Sequence, residues 1–289
     1  MGLPANKRTA MSSDPEEFEI VTVQSGARSL RARANGETFH PVVGPMVEAR
    51  GLHVVQQRLV ERAAATEGPF VIWDVGLGAA ANAVAVLDAF PTGQIELHSF
   101  DLTTAPLEFA LRHEEALEYV APYRATIAQL LANSAAKLHG IEWRLHRGDF
   151  RQTLEDPAWP APHAVLYDPY SPTANAELWT LEHFARLFAR LDPQRGCLLT
   201  NYTRSTAVRV TLLLAGFFVG HGHATGEKDE TTTAANGPGL LEEPLTPAWL
   251  ERVRRSTRGA PLRAAGGLGQ PIAEADWERL LEHPQFQAS

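Results

Sequence analysis

The chain has 289 residues, 44% hydrophobic and 21% charged, which is enough apolar material for one well-buried globular core. A formal charge of −8 excludes generic nucleic-acid coating through counterion release, though not a local basic face, and the single cysteine, Cys197, excludes an internal disulfide and a cysteine-clustered metal centre. The longest apolar run, residues 210–219, is too short to span a bilayer, and the first twenty residues lack the apolar stretch of a secretory signal, so the expectation is a soluble, cytoplasmic protein with no membrane partner.

Residues 1–16 are polar and without pattern, which predicts a flexible tail. From Glu17 to Ala34 two short alternating runs separated by "QSGA" predict a β-hairpin. In "PMVEARGLHVVQQRLVERAAA", Val47, Leu52, Val55, Leu59 and Val60 recur at helical spacing and predict one amphipathic helix despite Gly51. The pattern then alternates. "FVIWDVG", "IELHSFD", "IEWRLHRGD", "HAVLYD" and "CLLTNY" read as strands, because they are short, apolar and bounded by turn residues. Between them lie helical segments: "NAVAVLDAF", "PLEFALRHEEALEYV", "TIAQLLANSAAKL", "AELWTLEHFARLFARL" and a stretch from about Ser205 to Ala215. Strands separated by helices predict a parallel sheet with right-handed crossovers. "GFFVGHGHATGEKDETTTAA" holds two strand-like runs with no helix between, so the sheet closes with an antiparallel hairpin. From residue 237 the chain is rich in Pro, Gly and Arg, with "EADWERLLEHPQF" as one terminal helix, and reads as an extension. The expected organisation is thus a tail (1–16), one α/β Rossmann-like domain (17–236) with a mostly parallel seven-stranded sheet, and an extension (237–289). The arginines at 252, 254, 255, 258 and 263, and those at 28, 31 and 33, read first as solvated faces.

Four carboxylates end four successive predicted strands: Asp74, Asp101, Asp149 and Asp168. In open α/β sheets ligands gather at the carboxyl ends of strands, so four acids there are poorly explained as four helix caps, although each alone could be one. Gly76 and Gly78 let the backbone turn tightly after the first strand and approach a ligand. The third glycine of a dinucleotide fingerprint is absent, and the acid at 74 suits a cationic ligand better than a phosphate. "DPYSP" is the most informative turn: Pro169 and Pro172 stiffen a loop that presents Asp168 beside Tyr170, an arrangement suited to an amine acceptor. Trp179 is by default a core residue and otherwise a pocket wall; His40, in a Gly/Pro-bounded loop, is more readily a packing histidine than a ligand. Ser171 has no recognisable His and Asp partners for nucleophilic hydrolysis. His221 and His223 have no third ligand, so no metal is expected.

The run from about Gly36 to Asn236 resembles the methyltransferase domain of the bacterial tRNA 5-methylaminomethyl-2-thiouridine biosynthesis protein MnmC and its stand-alone relatives. The resemblance rests on "GETFHPVVGPMVEARGLHV", with Gly44 and Glu48 matching; on "DVGLGAAAN", an acid-x-Gly-x-Gly loop ending in Asn82; on "DPYSPTANAELWTLEHF"; and on the closing "TGEKDETTTA". It implies a class I S-adenosyl-L-methionine-dependent methyltransferase fold and methylation of an aminomethyl group on a wobble uridine of tRNA. Carried over residue by residue, it puts Asp168 in catalysis, and the loop of Asp74, Gly76, Gly78 and Asn82 at the methionine part of the cofactor. Asp101 then meets the ribose and Asp149 the adenine, while His40, Pro169, Tyr170, Ser171 and Trp179 face the substrate. Two departures accompany it: Ala79-Ala80 stand where Thr-Gly is usual, and Pro169 stands where a small residue is common. No flavin fingerprint follows residue 236, so an oxidoreductase step is absent or comes from a separate protein. The alternatives are a methyltransferase for a small amine or another nucleic acid, and a degenerate homologue that binds nucleoside or RNA without catalysis.

Overall fold

A computed structural model describes residues 17–226, 229–264 and 269–287; the expected tail and part of the closing hairpin's turn lie outside them. The chain opens with β1 (Phe18–Thr22) and β2 (Arg28–Ala32), a two-stranded antiparallel sheet of its own, as the alternation predicts. Next come α1 (Pro45–Ala49), a π-helical stretch (Arg50–Val55) and α2 (Leu59–Ala64), where the sequence suggests one helix. The difference has a local cause. The Gln56 N–H bonds the carbonyl of Gly51 five residues back, and Arg58 takes a left-handed φ of 51° before α2 starts. The extra residue shifts the phase after α1, so Val55 and Val60 are exposed (61% and 45%) while His53, Gln56 and Gln57 turn inward; Val47, ahead of it in α1, is exposed as well. Spacing alone cannot register such an insertion.

The remaining elements are β3 (Phe70–Val75), α3 (Ala81–Ala89), β4 (Ile95–Asp101), α4 (Ala105–Arg112), α5 (Arg124–Asn133), β5 (Ala135–Leu138), β6 (Ile141–Arg147), α6 (Phe150–Thr153), β7 (Ala164–Tyr167), α7 (Leu181–Ala189), β8 (Leu198–Asn201), α8 (Thr206–Leu214), β9 (Phe218–Gly222), β10 (Thr231–Ala235), β11 (Glu243–Pro244), α9 (Pro247–Arg255) and α10 (Glu274–Leu281). The main sheet has the order β11-β9-β10-β8-β7-β3-β4-β6-β5. Its five central strands, β6 to β8, are mutually parallel, and β10 enters antiparallel between β8 and β9. This is the expected Rossmann-like architecture, with nine strands rather than seven. One addition is β5, which the sequence reading takes as the end of a helix; Ser134, left-handed at φ 56°, ends α5 and turns Ala135–Leu138 back along β6. The other is β11, a two-residue edge on β9.

Alternate residues of the central strands enter different cores, which explains the unbroken apolar runs. Phe70 and Ile72 of β3 pack under α3 to α5, whereas Val71, Trp73 and Val75 pack with α7 and α8. Leu245, Trp249, Leu250, Val253 and Leu280, all beyond residue 236, belong to the second of these cores. α9 has no counterpart in the sequence reading. Its arginines pair locally, Arg254 with Glu274 and Arg252 with Glu230, as Arg31 and Arg33 do with Glu19.

Five buried histidines are held neutral. Burial pushes His53 and His183 down to about 3, and His98, His146 and His163 to about 4. Above pH 6.5 neither folded nor unfolded chain protonates them; between 6.5 and about 4 only the unfolded chain does, so acid drains stability by about 1.4 kcal/mol per pH unit for each fully displaced proton. Asp74, raised by burial to about 7, and Asp101, also raised, work in the opposite sense, two carboxyls against these five histidines and His283, which burial lowers too. A pH series of thermal melts is expected to show Tm falling by roughly 10 °C or more between pH 6.5 and 4.5. A flat Tm over that interval contradicts the assignment.

Candidate active site

A cavity of about 710 Å³ opens at the carboxyl ends of β3, β4 and β7 and receives residues 37–41 of the segment before α1. Its size is within the usual range for small-molecule sites. The floor is the turn after β3, where Gly76 (φ 93°), Gly78 (φ 51°) and Ala80 (φ 64°) are left-handed. Gly76 is confined for a second reason: a Cβ there would stand 2.6 Å from the carbonyl oxygen of Asp168. Ala79 lines the cavity, but Ala80 is fully buried and outside it, so its methyl does not take up ligand space.

The four strand-end carboxylates have different surroundings. Asp74 is fully buried and does not line the cavity; Ser99 Oγ donates to it (2.8 Å) and is itself oriented by Trp143 Nε1 (2.9 Å). Burial, then the neighbouring Asp168 and Asp101 charges, raise its carboxyl to about 7 against the donor bond from Ser99. It therefore stands behind the glycine loop, bonded to Ser99. Asp101 lines the cavity and closes the glycine turn by accepting from the Gly78 N–H (2.9 Å); burial raises its pKa, and the backbone donors oppose the rise. Asp149 lines the cavity and also caps α6 through the Arg151 N–H (2.9 Å), so the cap and the site are not alternatives here. Hydrogen bonds from the Arg151 guanidinium hold its carboxylate below the ordinary range.

Asp168 sits where β7 ends, its N–H bonded to the Val75 carbonyl (2.9 Å). Asn82 Nδ2 donates to its Oδ2 (2.9 Å), which fixes the carboxylate relative to the first turn of α3. Pro169, Tyr170 and Ser171 line the cavity beside it. Ser171 Oγ donates to Glu37, and the Phe39 ring meets Tyr170 edge-on at 5.5 Å, so the segment before α1 is clasped to the "DPYS" loop. Burial raises the Tyr170 hydroxyl above its ordinary range, leaving it a neutral donor. Trp179 is not a cavity wall: it is fully buried, packs against Tyr167 and Tyr202, and its Nε1 holds the Tyr170 carbonyl (2.9 Å). The chain before it forms a 3₁₀ turn, and Thr180, extended, caps α7, so that helix starts five residues later than its apolar pattern suggests.

His40 lines the cavity with Nε2 3.9 Å from Asp168 Oδ2 and Nδ1 3.9 Å from Glu48 Oε2. Glu37 and Tyr202 are cavity residues that sequence reasoning passed over, and Glu48, which carries part of the resemblance, was given no role there. Tyr202 follows β8 and so obeyed the same strand-end rule as the acids. Glu48 lay on a helix whose phase spacing misjudged. The registration of that helix depends on buried polar groups: Gln57 Nε2 donates to Thr200 Oγ1 (2.7 Å) and to the Val165 carbonyl (3.0 Å), and His53 Nδ1 meets the same Thr200 (2.7 Å). His221 and His223 pair with Glu230 and Glu242, and among the described residues no three His, Cys, Asp or Glu side chains are grouped as metal ligands. No helix among the described residues is long and apolar enough to cross a membrane.

A family model described as S-adenosyl-L-methionine-dependent methyltransferase matches residues 112–237. The chain is 25% identical over 224 residues to the tRNA 5-methylaminomethyl-2-thiouridine biosynthesis bifunctional protein MnmC of Methylibium petroleiphilum, covering 74% of this chain and 34% of that protein. It is 30% identical over 201 residues to the protein of the same name from Burkholderia mallei, covering 63% and 30%. The chain thus spans about a third of the length of these curated relatives. The crystal structure of MNMC2 from Aquifex aeolicus superposes with a TM-score of 0.67 at 26% identity, over 93% of this chain and 86% of that one. A spermidine synthase in complex with a transition-state analogue (TM-score 0.51, 11% identity, 91% and 84% covered) shares the fold alone. With its strand order, its glycine turn and these relatives, the chain carries an MnmC-like, S-adenosyl-L-methionine-dependent methyltransferase domain.

Proposed function

We propose that the protein methylates the nitrogen of an aminomethyl group on a wobble uridine in tRNA, receiving that amine from a separate oxidoreductase. The observation that carries the reading is the Asp168 carboxylate, oriented by Asn82 at the end of β7 and flanked by Tyr170 inside the cavity. When bound, S-adenosyl-L-methionine would supply an activated methyl group on a sulfonium centre for the acceptor nitrogen. On this reading the backbone of Gly76 to Gly78 holds the methionine part, Asp101 the ribose hydroxyls, and Asp149 with Phe150 the adenine. The cavity fits such a group: its glycines bring bare backbone to the floor, and Ala80 stays clear. Asp168 orients the acceptor amine, and Tyr170 supports the base once it has left the anticodon stack.

Glu37, Glu48, Asp101, Asp149, Asp168 and Glu177 line the cavity against Arg151 as the fixed cation there. That balance suits a cationic acceptor and leaves a small polyvalent amine as the second reading. Incubation with methyl-labelled cofactor and hypomodified tRNA, beside a panel of small amines, separates the two. Label is expected in the tRNA, and label confined to a small amine overturns the tRNA assignment.

A further inference from the structure

An alkylamine has a pKa near roughly 10.4, so at neutral pH the acceptor reaches the cavity as an ammonium with no lone pair to offer. Asp168 can orient that cation only while it stays a charged carboxylate, so the proton needs another recipient. The cavity holds a second group. The His40 imidazole lies between two carboxylates, Asp168 on one side and Glu48 on the other, at 3.9 Å each. Those gaps exceed a direct hydrogen bond, and an ammonium or a water placed to one side of the line from the imidazole to Asp168 could reach both. All three side chains are at least 85% shielded from solvent. His40 also adopts φ 47°, a left-handed conformation that L-residues disfavour, and backbone strain of this kind persists where surrounding structure enforces it. The enforcement is visible: Phe39 against Tyr170 and Glu37 on Ser171 fix the residues just before it.

We propose that His40 is the catalytic base, taking the proton from the acceptor ammonium while Asp168 orients it, and that Glu48 is a positioning residue that steadies the imidazolium so formed. The nitrogen–hydrogen bond of the ammonium breaks, its electron pair stays on the amine nitrogen, and the proton joins an imidazole nitrogen. The inference rests on the amine-methylation reading above. Among the described residues, the titratable groups that interact with His40 are Glu48 of α1, Asp168 of the β7 loop and His53 of the π-helical stretch, while Glu37 and Tyr202 line the same cavity.

The test is the pH dependence of single-turnover methyl transfer in the full chain, with methyl-labelled cofactor and hypomodified tRNA. His40→Asn is the informative variant, because asparagine tolerates the left-handed backbone and the fold is retained. Its rate constant is expected to fall about 100-fold at pH 7 and to climb back about tenfold per pH unit towards pH 9, where the free amine supplies itself. Calorimetric binding of S-adenosylhomocysteine stays unchanged. Glu48→Gln is expected to lose about tenfold, with the same alkaline recovery. A His40→Asn rate within threefold of wild type at pH 7, or a deficit that is equal at every pH, removes His40 as the base. If the wild type itself labels neither tRNA nor any amine, the methylation reading falls and takes the base with it.

Discussion

Asp168→Asn is expected to bind S-adenosylhomocysteine as the wild type does while transferring methyl roughly 10³-fold more slowly. The substitution is nearly isosteric, and its amide oxygen still accepts from Asn82, so the turn between β7 and the first turn of α3 keeps its shape. What disappears is the charge that draws and aligns an ammonium in a cavity screened from water. Orientation and electrostatic placement together supply several kcal/mol in such transfers, and about 4 kcal/mol corresponds to the stated loss. The deficit persists at high pH, in contrast to His40→Asn, because a deprotonated amine still lacks its alignment. Single-turnover rates at pH 7 and 9, with binding calorimetry on the same samples, check this; near wild-type transfer at pH 7 removes Asp168 from the mechanism.

Gly76→Ala is expected to damage fold and activity together. At φ 93° the added methyl meets the Asp168 carbonyl oxygen at 2.6 Å and the Pro169 nitrogen at 2.9 Å, both backbone atoms that no side-chain rotation can move aside. Either the glycine turn or the "DPYS" loop must shift, and strained or clashing positions of this kind cost roughly 3 kcal/mol or more. In a domain of this size that lowers Tm by about 6–12 °C. Any shift also moves Asp168 relative to the floor of the cavity, and misplacement by about 1 Å can cost 10²-fold in rate. Thermal melts and transfer assays on one preparation test both consequences. By comparison Gly51→Ala, where a Cβ meets nothing within 4 Å, is expected to leave both nearly unchanged. A Gly76→Ala protein as stable and as active as wild type shows that the two loops are not in register as described.

The strand-end acids show how far the sequence carries. Their positions follow from the alternation of apolar runs and turn residues, and three of the four, Asp101, Asp149 and Asp168, do line one cavity. Asp74 has the same sequence context but faces Ser99 in the interior, because β3 runs on to Val75 and leaves Asp74 inside the strand rather than at its end. Trp179 is similar: its helical spacing made core packing the default, its nearness to the Asp168 loop left a pocket wall open, and the packing of Tyr167 and Tyr202 around it puts it in the core. The segment before α2 was the hardest to read, since a π-helical stretch breaks its helical phase after α1, with Val47, Val55 and Val60 exposed and Glu48 at the cavity.

Local composition thus determined what local physics governs: which runs are strands, where glycine turns and proline stiffens, that the sheet is a doubly wound one ending in a hairpin, and that its carboxyl edge is acidic. Only tertiary structure decided that His40 lies between Asp168 and Glu48, that Glu37 clasps the loop of Ser171, and that α9 completes a core begun more than a hundred residues earlier. Those relations join groups far apart in the chain. They are fixed by the simultaneous burial of many faces, an interaction that no window of sequence contains.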